Sequence, residues 1–268
     1  MAQRKPVGSV TRGTTNPNRL RRVDRYIASL PVIRRTTNPI VVDLGYGATP
    51  TTAIEMLERL NKENSNTKVV GIEIDRERVE RAKPYETQNL LFGIGGFEVP
   101  LPKEITQDTV TVIRAMNVLR QYDEVEVQAA WALMQSRLTS GGLIVEGTCD
   151  EIGRIASWVT LDAQGPQLFT ISLRLRGLDK PSKVAERLPK ALIHHNVPGE
   201  PIYQLLRDLD AAWANHAGLA IFSPSQRWVA TCEDLKKQGW PINNEAKRWK
   251  LGELTISWEA VKPQAVQP

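Results

Sequence analysis

The stretch Val41-Val42-Asp43-Leu44-Gly45-Tyr46-Gly47-Ala48-Thr49-Pro50 constrains the fold more than any other part of the chain. An apolar run of strand length breaks on two glycines and restarts as a helix, with Thr49 expected as N-cap and Pro50 as the first helical residue. Ala53, Ile54, Leu57 and Leu60 then give that helix one apolar stripe. Glycine at 45 and 47 lets the backbone approach a ligand where a side chain would collide with it. Asp43 stands two residues before the first glycine, so the turn suits a ligand bearing an amino group or a sulfonium and repels a diphosphate. A dinucleotide loop would place its third glycine where this chain has Pro50.

The strand–turn–helix rhythm continues. Lys68 to Ile74 is expected as a second strand, followed by a charged helix over about 75–83, a third strand near Leu90-Leu91-Phe92 and a fourth over 109–115. A helix over 123–138 is marked by the capping-box spacing of Asp123 and Glu126, by the stripe Val127, Ala130, Trp131, Met134 and Leu138, and by a stop at Gly141-Gly142. Leu143-Ile144-Val145 follows as a fifth strand. Strands alternating with helices of this length imply right-handed crossovers and a mainly parallel sheet. Ligands of such sheets sit at the carboxyl ends of the strands, where the strand order reverses.

After Asp150 the pattern changes to a hairpin over about 156–161 and 167–175, helices at 200–216 and 225–238, and a closing strand over 251–260. Three parts are therefore expected: a basic arm with a short helix (residues 1–38), an α/β core (39–150), and a C-terminal α+β part (151–268) that completes the sheet and carries a helical lid or substrate-side insertion.

Charge is distributed unevenly. Of 35 Lys and Arg residues, Arg4, Lys5, Arg12, Arg19, Arg21, Arg22, Arg25, Arg34 and Arg35 fall in the first 38 residues, against Asp24 as the one acid there. The basic balance belongs to the arm, and the rest of the chain is mildly acidic. Residues 18–30 have helical spacing in Leu20, Val23, Ile27 and Leu30, with Arg21, Arg22 and Arg25 on the other face and an expected end before Pro31. The turn-rich residues 11–20 are expected to fold over a cleft, and the charge of the arm to draw phosphates. No apolar run reaches membrane-spanning length and no secretory pattern follows the first basic residues, so a cytoplasmic protein with no membrane role is expected. Cys149 and Cys232 are too few for a disulfide framework.

In this order, Asp43-x-Gly45-x-Gly47, the acid in Gly71-Ile72-Glu73-Ile74-Asp75 and the ending Leu138-Thr139-Ser140-Gly141-Gly142-Leu143-Ile144-Val145 resemble the class I S-adenosylmethionine-dependent methyltransferases. The resemblance covers residues 39–150. It implies a doubly wound, seven-stranded Rossmann-like sheet with helices on both faces, S-adenosyl-L-methionine as cofactor and methyl transfer to an acceptor that the residues do not name. It implies that Asp43, Gly45, Tyr46, Gly47, Glu73, Ile74, Gly96, Phe97 and Asn117 hold the cofactor, with Glu73 on the ribose hydroxyls and Gly96 and Phe97 beside adenine. It also makes Arg114 and Asn117 candidates at the reacting methyl, with a pairing of Arg114 to Asp43 or Glu146 as the structural alternative. The acid this family often has after its third strand is replaced by Phe92-Gly93-Ile94-Gly95-Gly96-Phe97-Glu98, and its Asn/Asp-Pro-Pro-aromatic signature is absent, since Val118 and Leu119 follow Asn117.

Other residues admit weaker roles. Arg120, Gln121 and Tyr122 are a solvated turn or a substrate rim. Cys149 follows the fifth strand, but the acids after it disfavour a thiolate. Cys232 falls on an apolar stripe. His194 and His195 are neighbours with no ligand spacing around them, so no metal is expected. Two other functions stay open: an NAD(P)-dependent oxidoreductase on a similar sheet, against which Pro50 and Asp43 argue, and a non-catalytic RNA-binding protein using the arm.

Overall fold

The computed structural model describes residues 6–10, 13 and 15–264. Strand β1 (Ile40–Leu44) sets the layers, because its side chains alternate between two apolar cores. Ile40, Val42 and Leu44 enter one core and Val41 the other. Strands β2 (Lys68–Glu73), β3 (Leu90–Ile94), β4 (Val110–Met116) and β5 (Leu138–Cys149) run parallel to β1, and β6 (Ile155–Asp162), β7 (Gly165–Leu173) and β8 (Glu253–Ser257) continue antiparallel. The order is β3-β2-β1-β4-β5-β6-β7-β8, so the direction of winding reverses between β1 and β4.

The sheet has eight strands, where the resemblance implies seven. Each apolar segment of strand length, including both arms of the hairpin and the closing strand, pairs into it. The chain leaves β5 through a tight turn that folds β6 straight back. In that turn Asp150 Oδ1 accepts from the Arg154 and Ile155 amides, and Gly153 takes φ +67°.

Helices cover both faces. Helices α1 (Arg21–Ser29), α2 (Pro31–Arg35), α3 (Thr51–Leu60) and α4 (Arg76–Ala82) contribute to the core that holds Val41. Helices α5 (Val127–Gln135), α7 (Pro201–Asn215) and α8 (Pro224–Lys237) close the opposite core, with the short α6 (Lys190–Ile193) and α9 (Ala246–Trp249) at its margin.

Helix starts and stops differ from expectation in four places. Pro31 opens α2 rather than only ending α1, since its fixed φ suits a first helical position. Pro50 is the N-cap of α3, and the Thr49 hydroxyl meets that of Thr51 (3.0 Å) instead of a backbone amide. The Asp123–Glu126 capping box is present but opens a 3-10 turn (Glu124–Glu126), and α5 follows it. Gly141 and Gly142 belong to β5, in an irregular stretch where the register against β4 jumps from Val110↔Leu138 to Val112↔Leu143.

The basic face of α1 is bound into the fold. Arg22 is buried, and its guanidinium donates to the carbonyls of Gly153 (3.1 Å) and Leu251 (3.1 Å) and to Ser172 Oγ (3.2 Å). Arg19 Nε donates to the Asp150 carbonyl (3.1 Å) and Arg21 Nη1 to that of Ile152 (3.2 Å). Arg25 lies 3.9 Å from Glu253, and Arg34 pairs with Glu63 at 2.7 Å. Arg4, Lys5 and Arg12 lie outside the described residues.

Candidate functional site

The carboxyl ends of β1 and β4 flank a cavity of about 590 Å³. Its walls include Asp43, Gly45, Tyr46 and Gly47 from the glycine turn, Met116 and Asn117 from the end of β4, and Cys149 from the end of β5. The turn needs its glycines. Gly45 and Gly47 adopt φ +69° and +92°, and a Cβ on them would stand 2.8 Å from the Val118 side chain and 2.7 Å from Thr15 Oγ1. On the other side of Gly45 lies a narrow slot bounded by Leu44, Glu73, Ile74, Gly95, Gly96, Phe97, Val118 and Tyr122.

The arm crosses both spaces. Gly13 and Thr15 roof the larger cavity, where the Ala48 amide donates to the Gly13 carbonyl (3.0 Å) and Thr15 Oγ1 to that of Tyr46 (3.3 Å). Residues 7–9 are seated in the slot and leave about 20 Å³ of it open. There the Phe97 amide donates to the Val7 carbonyl (3.0 Å), the Val7 amide to Glu98 Oε2 (3.0 Å), the Ser9 amide to the Tyr122 hydroxyl, and Gln121 Nε2 to the Ser9 carbonyl (3.1 Å). A Cβ on Gly96 would fall 1.9 Å from the Val7 carbonyl oxygen. The loop carrying Gly96 and Phe97 is strained, since buried, β-branched Val99 is held at φ +47° before Pro100. Of the expected turn over 11–20, Thr11, Arg12 and Thr14 lie outside the described residues.

Asp43 and Arg114 are paired across adjacent strands, because the register of β1 and β4 sets them side by side. Arg114 donates to Asp43 Oδ1 through Nε (3.0 Å) and reaches Oδ2 through Nη2 (2.6 Å), and Thr52 Oγ1 also donates to Oδ2 (2.7 Å). Arg114 is fully buried and also pairs with Asp24 of α1, which in turn meets Arg59 of α3 (2.6 Å). Burial works against the Arg114 charge, but Asp24 and Asp43 outweigh it and hold the proton more firmly than usual. Arg114 therefore serves a buried ion-pair network and lines neither the cavity nor the slot. Asp43 borders the cavity, with both carboxylate oxygens engaged within the fold.

Glu73 is buried at the end of β2, where Oε2 accepts from the Gly47 amide (3.2 Å) and Oε1 from Arg78 (3.3 Å). Burial raises its pKa, opposed by the Gly47 amide and Arg78. The Tyr46 ring turns away from the cavity, packs edge-on to Phe92 and donates its hydroxyl to the Arg78 carbonyl (3.2 Å), so this residue meets the cavity through the turn's backbone. Asn117 takes left-handed backbone (φ +64°), which asparagine tolerates. Its amide donates to the Gly147 carbonyl (2.7 Å), Oδ1 accepts from the Cys149 amide (3.0 Å), and Nδ2 meets Cys149 Sγ at 3.3 Å. Burial pushes the Cys149 thiol up against the opposing pull of Arg19 and Asn117, so the thiol form is favoured.

Arg120, Gln121, Glu151 and Arg187 complete the larger cavity, together with Arg19, Leu20 and Thr52. Thr15 and Arg19 belong to the stretch 11–20 expected over a cleft, and both line the cavity; sequence patterning did not single out Arg187, which ends an irregular segment where no period marks a facing direction. His195 lies elsewhere, between Glu124 (2.6 Å) and Glu200 (3.5 Å), and Cys232 is buried in the core. Among the described residues no group of three or more His, Cys, Asp or Glu is placed to hold a metal ion, and no helix is long and apolar enough to cross a membrane.

No protein-family model matches the chain, and no curated protein matches it. Solved structures similar to part of it include an O-methyltransferase of neocarzinostatin biosynthesis in complex with S-adenosyl-L-homocysteine (17% identity, 45% of this chain and 34% of that one, TM-score 0.34). A TehB-like S-adenosylmethionine-dependent methyltransferase from Corynebacterium glutamicum aligns at 20% identity over 50% of this chain and 64% of its own, with TM-score 0.34. Magnesium protoporphyrin IX methyltransferase from Synechocystis, with bound S-adenosyl-L-homocysteine, aligns at 14% identity over 47% and 53%, with TM-score 0.35. This chain thus spans less than two thirds of each of these proteins, and a likeness of this extent leaves the weight on its own residues.

Proposed function

We propose that the chain is a methyltransferase that uses S-adenosyl-L-methionine. The observation that carries this reading is the pairing of two features at the reversal of strand order. The left-handed Gly45–Gly47 turn ends β1, and beside it a buried carboxylate, Glu73, ends β2. An ionised carboxylate accepts from two neighbouring hydroxyls of a ribose, and the slot between Ile74, Phe97 and Val118 suits a flat heterocycle against the backbone of Gly95 and Gly96. Val118 and Thr15 take the space that a Cβ on Gly45 or Gly47 would need, and the larger cavity beyond the turn has space for the rest of the cofactor and a small acceptor.

When bound, the cofactor supplies an electrophilic methyl group on a sulfonium. The protein's part is to align the two reactants and to exclude water. Asn117, bonded to β5 through its backbone and side chain, fixes the wall between the ends of β4 and β5. Cys149 as a thiol supplies no base, and Arg114 is committed to Asp24 and Asp43. Neither of these two residues therefore takes a proton from the acceptor.

A diphosphate-binding oxidoreductase fits less well. The start of α3 offers Pro50, which has no N–H, and the Ala48 amide is spent on the Gly13 carbonyl. RNA binding through the arm gains no support from Arg19, Arg21, Arg22, Arg25 and Arg34, each of which bonds or pairs within the fold, while Arg4, Lys5 and Arg12 lie outside the described residues. The free, buried Cys149 and Cys232 agree with a reducing cytoplasm. Incubating the protein with methyl-labelled cofactor and fractionated cell extract tests the activity. Label should pass to one fraction in a time-dependent way, and no transfer to any fraction would count against it.

A further inference from the structure

The arm meets the path from the slot to the larger cavity at two places. At the first, Val7 turns one peptide edge into the slot: its carbonyl accepts from the Phe97 amide (3.0 Å) and its amide donates to Glu98 Oε2 (3.0 Å). That edge sets an acceptor beside a donor, the pattern adenine presents with N1 and its 6-amino group. At the second, Gly13 and Thr15 lie on the Gly45–Gly47 turn, bonded to the Ala48 amide and the Tyr46 carbonyl, with Thr15 Oγ1 only 2.7 Å from where a Cβ of Gly47 would stand. Gly45 borders both the slot and the cavity, so a ligand that reaches from one into the other passes this turn.

Val7 and Val10 are 44% and 53% exposed, so hydrogen bonds rather than apolar burial hold this part of the arm. Such bonds are exchanged for bonds to water on release, and each contributes little net stability. From Asn18 onward the attachment changes. The Asn18 amide donates to the Glu55 carboxylate (2.7 Å), its Oδ1 accepts from Arg59 (2.7 Å), and its backbone takes φ +60°. Leu20 and Val23 are then buried in the core that α1 shares with α3. A weakly held segment thus joins a firmly held one at Asn18, which is where a hinge belongs.

Resting on the cofactor reading above, we propose that the arm before Asn18 is a strap that closes the slot and the larger cavity together, and that an adenosyl ligand lifts it from both and so admits the acceptor. The adenine edge competes with Val7 for the Phe97 amide and Glu98. The ribose on Glu73 stands beside Gly47, whose amide Glu73 also holds (3.2 Å), in the turn that Gly13 and Thr15 cover. The ligand therefore dislodges the strap at both of its attachments. With the strap lifted, the cavity loses the part of its wall made by Gly13 and Thr15, and acceptor binding follows cofactor binding.

Cys149 reads the opening. It is buried on the wall of the larger cavity, and Cys232, the second of the chain's two cysteines, is buried in the core and serves as internal control. The rate at which iodoacetamide alkylates Cys149 tracks the open population when opening is faster than reaction. Saturating adenosine fills the slot and carries no methionine end to shield the cavity. In the full chain it should raise this rate roughly fivefold or more, with Cys232 unchanged. Inosine, whose edge reverses donor and acceptor, should leave it unchanged. Deleting residues 1–16 should give the fast rate without ligand. Gln121→Ala, which removes the donor to the Ser9 carbonyl, should give an intermediate rate and serves if the shortened chain fails to fold. Adenosine binding to either variant with no acceleration in the full chain, an equal effect of inosine, or Cys149 as slow in the folded variants as in the native chain would overturn the strap alone. No calorimetric binding of adenosine to either variant would overturn the cofactor reading and the strap with it.

Discussion

Asp24 and Asp43 share Arg114 in a buried site, and the cost of that arrangement appears when one partner is removed. Asp24→Ala would leave Arg114 with one carboxylate where it now has two, and Arg59 with one fewer. The expected loss is about 3–5 kcal/mol by denaturant unfolding, the range for breaking a buried pair. Glu146 is the opposite case. Both of its oxygens are buried without a hydrogen-bond partner among the described residues, and burial pushes its carboxyl up to about 8, with a small opposing pull from Trp131. The folded state thus holds a proton that the unfolded chain releases near 4.5. Stability from this group is complete below about 4.5 and falls as pH rises toward 8, by on the order of 4 kcal/mol. Unfolding at pH 5 and pH 8 should show Glu146→Gln gaining on the native chain by roughly that amount at the higher pH. A constant difference between the two proteins would contradict the assignment.

At the level of elements, the arm is the part whose role changed most between sequence and structure. Its turn-rich stretch was expected over a cleft and its charge to draw phosphates, yet α1 packs on α3 with Arg22 buried, and residues 7–9 lie in the slot beside Glu73. That placement has a thermodynamic consequence. A ligand that needs the slot must displace four hydrogen bonds, each worth about 1 kcal/mol before the ordering entropy of the arm is subtracted. If 1–2 kcal/mol remains, deleting residues 1–10 should tighten S-adenosyl-L-homocysteine binding roughly 5- to 30-fold by calorimetry. Weaker binding after the deletion would show that the arm completes the site rather than fills it.

For the whole molecule, local periodicity made most of the architecture legible. The parallel half, the hairpin, the two long C-terminal helices and the closing strand follow from spacing within single segments, and so does the Gly45–Gly47 turn. Legibility ended where contacts are long-range. The Asp43–Arg114 pair depends on the register of β1 against β4, and its third member, Asp24, arrives through the packing of α1. Arg187 reaches the cavity from an irregular segment pinned by two strands, and no pattern within residues 181–187 signals it. The eight-strand count was present in the segments and was obscured only by the seven-stranded resemblance. The central claim is that the space beside the Gly45–Gly47 turn and Glu73 binds an adenosyl cofactor. Isothermal titration of S-adenosyl-L-homocysteine into the native chain and Glu73→Ala tests it most directly. Two charge-assisted hydrogen bonds lost at about 1.5 kcal/mol each predict saturable binding to the native chain and an affinity roughly 100-fold weaker in the variant. No binding to the native chain, or equal affinity in both, would contradict it.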